Sequence, residues 1–456
     1  MADLVPHRRI HVVGVGGAGM SGLAKILSQW GHQVTGSDLK PGAHLNALAG
    51  TGVAVWVGHR PEAATGWDLV VASSAVPDRD PEITAARQRG VEVWDRPRLL
   101  QAITRRLRTV GVTGTHGKTT GTAMTIAALR ALGRDPSFMV GGVLVDLATN
   151  SHLGEEDLFV LEADEAFGTF LSLHLKGLVI TNVEPDHLDH YGSLADLEDA
   201  FAEVAGAVDG PVVAGIDDRG AAAVAARVDG VVGYGTSDEA VWHISDIRHG
   251  ADSVRFRLRG PHADLPVRVP KPGTHVARNA AGVLALIGEM GLDVVAAAAG
   301  LERFAGVRRR FETRARIRGV TVIDDYAIHP TEIAATIDAA SQARQGRRII
   351  AVFQPHRFSR TAELGVELGT ALAGAARVFV TDVYAASETP VPGVTGRVVA
   401  DAAVAAGANV SYVPRRADLA MAIAAEAVEG DLILIMGAGD ITLVADEIAP
   451  LLAGAG

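Results

Sequence analysis

Cysteine is absent from the 456 residues. That excludes disulfides, thiolate nucleophiles and Cys-ligated zinc or iron–sulfur centres together. Long apolar runs are absent as well. Each hydrophobic stretch is soon broken by Gly, Asp or Arg, so no segment is suited to span a bilayer as a helix. Residues 1–9 contain no apolar stretch leading to a small-residue cleavage site. No secretory signal is expected, and the cytoplasm is the simplest location. Positive charge is short: the formal net charge is −11, which argues against a broad nucleic-acid-binding face. Lysine is scarcest, five residues against 37 arginines, and Lys118 lies in the most informative stretch of the chain. What remains is ordinary globular composition, 48% hydrophobic and 21% charged. At roughly 150 residues per domain, the length suits about three domains.

The chain reads as three βα series. Arg9 to Val13 is a short apolar strand that runs into Gly14-Val15-Gly16-Gly17-Ala18-Gly19 and then a helical stretch, Met20 to Trp30. Strands at 32–35, 53–57, 69–72 and 91–94 alternate with helix-like segments, the pattern of a parallel sheet. The basic stretch 104–108 is expected to be a linker, ending a first domain at residue 107. A second series begins at Thr109 to Thr113 and continues through 159–162, 177–181 and 211–214. Near 253–259 the pattern turns to strict alternation, with Val254, Phe256 and Leu258 facing a core and Arg255, Arg257 and Arg259 facing water. The Arg-rich stretch 303–319 holds the second boundary. A third series follows at 320–323, 348–353, 376–380 and 432–436. The expected domains are 1–107, 108–312 and 313–456.

Two glycine clusters carry phosphate chemistry. The first has the G-x-G-x-x-G spacing between strand and helix, and Asp38 ends the next strand. Such a turn brings backbone N–H groups and a helix N-terminus against a diphosphate. A nicotinamide dinucleotide, another nucleotide diphosphate, or a ligand-free strand–helix crossing all satisfy it. The second cluster, Gly114-Thr115-His116-Gly117-Lys118-Thr119-Thr120, also lies between strand and helix. It misses the strict Walker register, because Val112 stands where the first glycine belongs. The chemistry survives. Gly114 and Gly117 allow amides to surround phosphate oxygens, Lys118 reaches the β- and γ-phosphates, and Thr119 offers a hydroxyl to Mg²⁺. Acidic and histidine groups suited to metal binding follow two later strands, at Glu162-Ala163-Asp164-Glu165 and at Glu184-Pro185-Asp186-His187. In the third series, Arg357 and Arg360 are three apart, so one helical face would present both as a fork for a carboxylate.

In this order, the motifs resemble the Mur ligases of peptidoglycan synthesis over essentially the whole chain. The resemblance rests on 13–22 and Gly36-Ser37-Asp38, on 114–120, 162–165 and Asp186-His187, and on Arg309-Arg310-Phe311, Asp324-Asp325-Tyr326, His329-Pro330-Thr331-Glu332, 353–360 and 437–440. It implies an α/β fold of three domains: a Rossmann-like N-terminal domain, a central P-loop ATPase domain with a mostly parallel sheet, and a Rossmann-like C-terminal domain. It also implies a cytoplasmic bacterial enzyme of cell-wall biogenesis, and hence of cell shape and division. Its substrates would be small molecules: ATP with Mg²⁺, UDP-N-acetylmuramate and, in the alanine-adding branch, L-alanine. ATP would phosphorylate the lactyl carboxylate, and the amine of alanine would displace phosphate from the acyl phosphate.

The resemblance assigns roles residue by residue. Lys118, Glu162 and His187 would be catalytic, with Thr119, Glu162 and His187 as metal ligands. ATP would be held by Gly114, Thr115, His116, Gly117, Lys118, Thr119 and Thr120, with Asn279 at adenine and Arg310 and Asp325 supplied from across a domain interface, which implies closure on binding. Gly14, Gly16, Gly17, Ala18, Gly19 and Asp38 would hold the UDP-sugar. Tyr326, His329, His356, Arg357 and Arg360 would hold the amino acid. The carbamylated lysine of some members corresponds to Phe201 here. Three departures stand out: Ala166-Phe167 replaces a Ser-Asp pair, Ala327-Ile328 replaces Gly-His, and Val276 replaces the Asn after His275. They keep open a paralogue that uses another amino acid or a peptide. From other classes, an NAD-dependent oxidoreductase would account for the first cluster alone, and a non-catalytic nucleotide-binding module would bind ATP without turnover.

Overall fold

The computed structural model describes residue 4 and residues 8–343, 346–386 and 388–454. It contains three sheets, the first parallel throughout and the third parallel apart from its Glu312–Ile317 edge strand. The first sheet is built from β1 (Arg9–Val13), β2 (Gln33–Asp38), β3 (Ala54–Val57), β4 (Leu69–Ala72) and β5 (Glu92–Asp95), in the order β3-β2-β1-β4-β5. Its central strands bury both faces, which is why β1 and β4 read as continuous apolar runs rather than alternating ones.

The second sheet has β6 (Arg108–Thr113), β7 (Ser137–Leu144), β8 (Thr149–His152), β9 (Leu158–Glu162), β10 (Leu175–Ile180), β11 (Val212–Gly215), β12 (Val231–Gly235), β13 (Trp242–His249), β14 (Val254–Gly260) and β15 (Ala263–Val269). Its order is β15-β14-β13-β12-β11-β10-β6-β9-β7-β8. Only two residues separate β14 from β15, too few for anything but a hairpin. Along β14, Val254, Phe256 and Leu258 are buried while Arg255 and Arg259 are exposed, as the alternation requires. Asp264 pairs with Arg257 at 2.7 Å.

The third sheet has β16 (Glu312–Ile317), β17 (Val320–Asp325), β18 (Ile349–Phe353), β19 (Arg377–Val380), β20 (Val410–Tyr412) and β21 (Leu432–Met436), in the order β16-β17-β21-β18-β19-β20. Its period-2 pattern feeds two cores. Val322, Ile350 and Ile433 pack on one face, and Ile323, Ala351 and Leu434 on the other.

The stretch 104–108 is not a linker. It forms the last turn of helix Arg96–Arg106 and the first residue of β6. Asp95 caps this helix through the Arg98 amide at 2.8 Å, and Leu99, Leu100 and Ile103 are buried. Arg105 and Arg106 then sit where cations favour a helix C-terminus, so the basic run that reads as a connector is dipole-matched helix. The first helix begins at Ala18 rather than Met20, and β2 runs on from Thr35 through Gly36 and Ser37 to end at Asp38.

By contacts the chain forms two compact units. One comprises residues 1–245, 257–267 and 278–305; the other comprises 246–256, 268–277 and 306–456. Within the first, helix Ala18–Gln29 is stitched to the β7–β8 hairpin. Lys25 Nζ donates to Thr149 Oγ1 at 2.8 Å and to the Ser151 carbonyl at 3.0 Å, and Asn150 Nδ2 donates to the Ala18 carbonyl at 3.1 Å.

Candidate active site

In the second sheet, β6 lies between β10 and β9, so the chain leaves it in opposite directions on either side. Ligands gather at such a switch point, beyond the strands' C-terminal ends. The register sets Val112 beside Glu162 and Thr113 beside Ile180. The loop 114–117, the acidic segment after β9 and the segment after β10 are therefore neighbours by construction.

The loop depends on its glycines. Gly114 has φ +132°, and a side chain there would strike Thr181 and the Asn182 backbone. Gly117 is left-handed at φ +82° and is the N-cap of helix Lys118–Ala131. The side chain of Asn279 lies 2.7 Å from where a Cβ on Gly117 would be, so this buried residue packs directly on the loop. The helix has neither a capping side chain nor an acid in its first turn, which also contains Thr120. No protein carboxylate of its own competes for this anion-favouring end.

Lys118 is buried and multiply held. Its ammonium donates to the carbonyls of Gly114 at 2.8 Å and Thr115 at 3.2 Å, and to Glu165 at 2.8 Å, with Asp164 at 3.9 Å. Burial alone would lower its pKa, but the charges of Glu165 and Asp164 outweigh it and keep the ammonium protonated. Burial also pushes Glu165 up, to about 7, against the pull of Lys118. The second carboxylate oxygen of Glu165 has no hydrogen-bond partner among the described residues.

Thr119 and Glu162 are brought together, hydroxyl to carboxylate at 3.0 Å, while the other Glu162 oxygen accepts the Gly141 amide at 2.7 Å. A hydroxyl beside a carboxylate is a hard oxygen donor set, which fits Mg²⁺. The segment after β10 is sewn to the loop. Thr115 and Glu184 exchange hydrogen bonds at 3.1 and 2.8 Å, the His116 amide donates to Asn182 at 2.8 Å, and the imidazole of His116 lies 3.5 Å from Glu184. His187 follows at left-handed φ +55° as the N-cap of the short helix Leu188–Tyr191, its ring 3.8 Å from Asp186. The Tyr191 hydroxyl donates to the Glu165 carbonyl, which ties this helix to the acidic segment. Phe167 is left-handed at φ +55° and exposed, its ring against His190 at 6.0 Å. Phe201 is fully buried edge-on to Phe170 at 5.0 Å, so this position serves core packing.

The first glycine loop follows β1, which again lies at the switch of its sheet, between β2 and β4. Gly14 has φ +77° and would meet Ser73 if it carried a side chain. The Gly16 amide donates to Asp38 at 2.9 Å, and a Cβ on Gly16 would strike the same carboxylate. Gly17 is the N-cap of helix Ala18–Gln29, and Arg96 approaches Gly19 in its first turn. Asp38 thus braces the loop directly.

In the third-sheet unit, buried Asp325 accepts the amides of Phe311 at 2.7 Å and Ala327 at 2.8 Å, and burial pushes it up to about 6. Tyr326 is stacked by Arg309 and Arg310 at 5.2 and 5.0 Å. Arg310 also lies 3.7 Å from Glu332. Buried His329 is at the start of helix Pro330–Ala343, where its carbonyl accepts the Ile333 amide at 3.0 Å. Arg357 and Arg360 do not share a helical face. Helix Phe358–Leu372 begins after Arg357, which has φ +74°, and only the buried Arg360 is helical. Arg357 instead donates through Nε to Glu388 at 2.6 Å. His356 stacks on Tyr384 at 5.8 Å and is pushed down to about 4 by burial and by Arg360 and Arg357.

Several of these partners are missing from a motif reading. Glu165 is within the acidic motif, but nothing local marks it as the counter-ion of Lys118. Thr181, Gly141 and Glu388 carry no motif signal, because their partners are remote in sequence.

This is a three-domain nucleotide-binding α/β architecture with a lysine–threonine phosphate loop flanked by metal-suited acids. Three family models match in succession: the Mur ligase family catalytic domain over residues 9–108, the Mur ligase middle domain over 112–287, and the Mur ligase glutamate ligase domain over 309–439. The chain belongs to the Mur ligase family. It is 43% identical to the UDP-N-acetylmuramate–L-alanine ligase of Mycobacteroides abscessus, covering 97% of this chain and 94% of the relative. The enzyme of the same name from Thermobifida fusca is 42% identical, covering 97% and 96%. Among solved structures, UDP-N-acetylmuramate-alanine ligase MurC from Thermotoga maritima superposes with a TM-score of 0.84 at 29% identity, covering 97% of this chain and 99% of that one. A murein peptide ligase from Psychrobacter arcticus shares the fold, with a TM-score of 0.70 at 24% identity over 98% of this chain and 99% of that one. No helix among the described residues is long and apolar enough to cross a membrane.

Proposed function

We propose that this protein is an ATP-dependent amide-forming ligase that joins L-alanine to the lactyl carboxylate of UDP-N-acetylmuramate, in the cytoplasm, for peptidoglycan precursor synthesis. The observation that carries the reading is the convergence of Lys118, Thr119 and Glu162 at the C-terminal end of β6.

A carboxylate is a poor electrophile, and activation makes it a good one. A lactyl oxygen attacks the γ-phosphorus in line, the bond to the β-bridging oxygen breaks, and ADP leaves. The alanine nitrogen then attacks the acyl carbon of the resulting acyl phosphate. The tetrahedral intermediate expels phosphate, which carries away the lactyl oxygen, and the nitrogen, having attacked as the free amine, loses one proton and keeps the other as the amide N–H. Phosphoryl transfer of this kind needs positioning and charge neutralisation more than covalent help.

The loop amides 114–120 cradle the phosphates, and Lys118 leaves Glu165 to neutralise the transferring group. Thr119 and Glu162 would hold one magnesium ion and His187 a second metal ion, which when bound would offset phosphate charge. Asn279 reads adenine beside Gly117, and Arg310 and Asp325 hold ribose and phosphates. Gly14 to Gly19, braced by Asp38, hold the UDP diphosphate, which explains a dinucleotide-like loop without redox chemistry. Arg357 and Arg360, with Tyr326, His329 and His356, hold the amino acid. The test is phosphate release by the full chain. It should require UDP-N-acetylmuramate and L-alanine together, and replacing alanine with glycine, serine or a muramyl-type tripeptide should lower it. Release that prefers a peptide would assign the chain to a recycling ligase instead.

A further inference from the structure

Recognition of a carboxylate by arginine needs two parallel N–H donors in a fixed plane, and a free arginine side chain loses much rotamer entropy in taking up that pose. Arg357 has already paid that entropy. Its backbone is fixed at φ +74°, with its amide donating to the Tyr384 carbonyl at 2.9 Å. Its Nε donates to Glu388 Oε1 at 2.6 Å. The same carboxylate accepts the Ser359 hydroxyl at 2.6 Å and the Ser359 amide at 3.0 Å. Ser359 is the second residue of helix Phe358–Leu372, whose N-cap residue, Arg357, makes no capping bond of its own. Glu388 is therefore the cap that this helix lacks locally, supplied from 31 residues further along the chain.

The choice of edge matters. Glu388 occupies Nε, and among the described residues no hydrogen bond or ion pair engages Nη1 or Nη2 of Arg357. The guanidinium is anchored on one side and open on the side with two parallel donors. The adjoining His356, stacked on Tyr384, feels the charges of Arg360, Arg357, Glu388 and Arg309. Three cations against one anion leave a net positive charge that favours an anionic ligand.

We propose that Glu388 is a positioning residue of the amino-acid site: it binds Nε of Arg357 and so presents the Nη1–Nη2 pair to the substrate carboxylate. This rests on the assignment of Arg357 to the amino acid. The experiment is steady-state kinetics of the full chain with ATP, UDP-N-acetylmuramate and L-alanine, comparing Glu388→Gln, Arg357→Lys and the double variant. Glutamine keeps an oxygen for the Ser359 cap but removes the charge from Arg357. The expected result for Glu388→Gln is an alanine KM raised about tenfold, near 1.4 kcal/mol. Its kcat, the KM values for ATP and UDP-N-acetylmuramate, and its thermal midpoint should stay near those of the parent. Arg357→Lys should raise the alanine KM as well, and the double variant should be no worse than Arg357→Lys alone, because both act through one guanidinium. An unchanged alanine KM in Glu388→Gln, strictly additive effects, or a rise in all three KM values with a lowered midpoint would overturn the inference. An unchanged alanine KM in Arg357→Lys would instead overturn the assignment of Arg357 on which it rests.

Discussion

The two glycine loops are the same device used for different ends. Each leaves a central parallel strand at a switch point and runs into a helix that no side chain caps. After β1, the neighbouring strand supplies a carboxylate, and Asp38 takes the Gly16 amide. After β6, the helix itself supplies a cation, and the neighbouring strand's end supplies the acids that hold it, with Lys118 on Glu165 and Thr119 on Glu162. The first arrangement is a braced cradle with no charge free to move. The second is a charge pair that a phosphate can exchange with. A diphosphate can be gripped by either, but phosphoryl transfer needs the second.

The contrast can be broken or sharpened by substitution. Lys118→Ala should have the largest effect, a loss of about 10³-fold in kcat, with UDP-N-acetylmuramate binding by calorimetry unchanged. Equal losses in both would mean that the loops are not functionally separate. Glu165→Gln leaves Lys118 without its buried counter-charge, and kcat should fall by roughly tenfold while the protein stays folded by circular dichroism. Asp38→Ala should act on the other loop alone: KM for the UDP-sugar should rise roughly tenfold with ATP KM unmoved. A change in ATP KM instead would put Asp38 outside the cradle.

A separate effect, on stability rather than turnover, concerns His356. Folded, His356 is pushed down to about 4, whereas in the unfolded chain it titrates near its ordinary 6.5. Between those values the unfolded state binds the extra proton, so stability is full above about pH 6.5 and falls as pH drops toward 4. His356→Gln should flatten that fall by about 3 kcal/mol in urea titrations across the window. An identical slope in parent and variant would show that the imidazole is not held neutral.

The features legible in the sequence are those whose cause is local. Buried parallel strands read as apolar runs, β14 as alternation, and the loops as glycines between strand and helix. The acids after β9 could be placed because strand ends of a parallel sheet face one side. Basic residues 104–108 misled because charge at a helix C-terminus looks like a polar connector unless the Asp95 cap and the apolar face of Leu99, Leu100 and Ile103 are weighed with it. The Arg357–Arg360 pairing misled because spacing says nothing about a positive φ at the first residue. The partnerships of Glu165 with Lys118, Thr181 with the loop and Glu388 with Arg357 join segments far apart in sequence, and only the folded chain brings them together.

The most direct test follows the oxygen. With UDP-N-acetylmuramate labelled with ¹⁸O in the lactyl carboxylate, turnover with ATP and L-alanine should deliver one labelled oxygen to each phosphate released, with one amide formed per phosphate. Amide formation with unlabelled phosphate would contradict transfer of the γ-phosphoryl group to the acid, and with it the account of the Lys118 site.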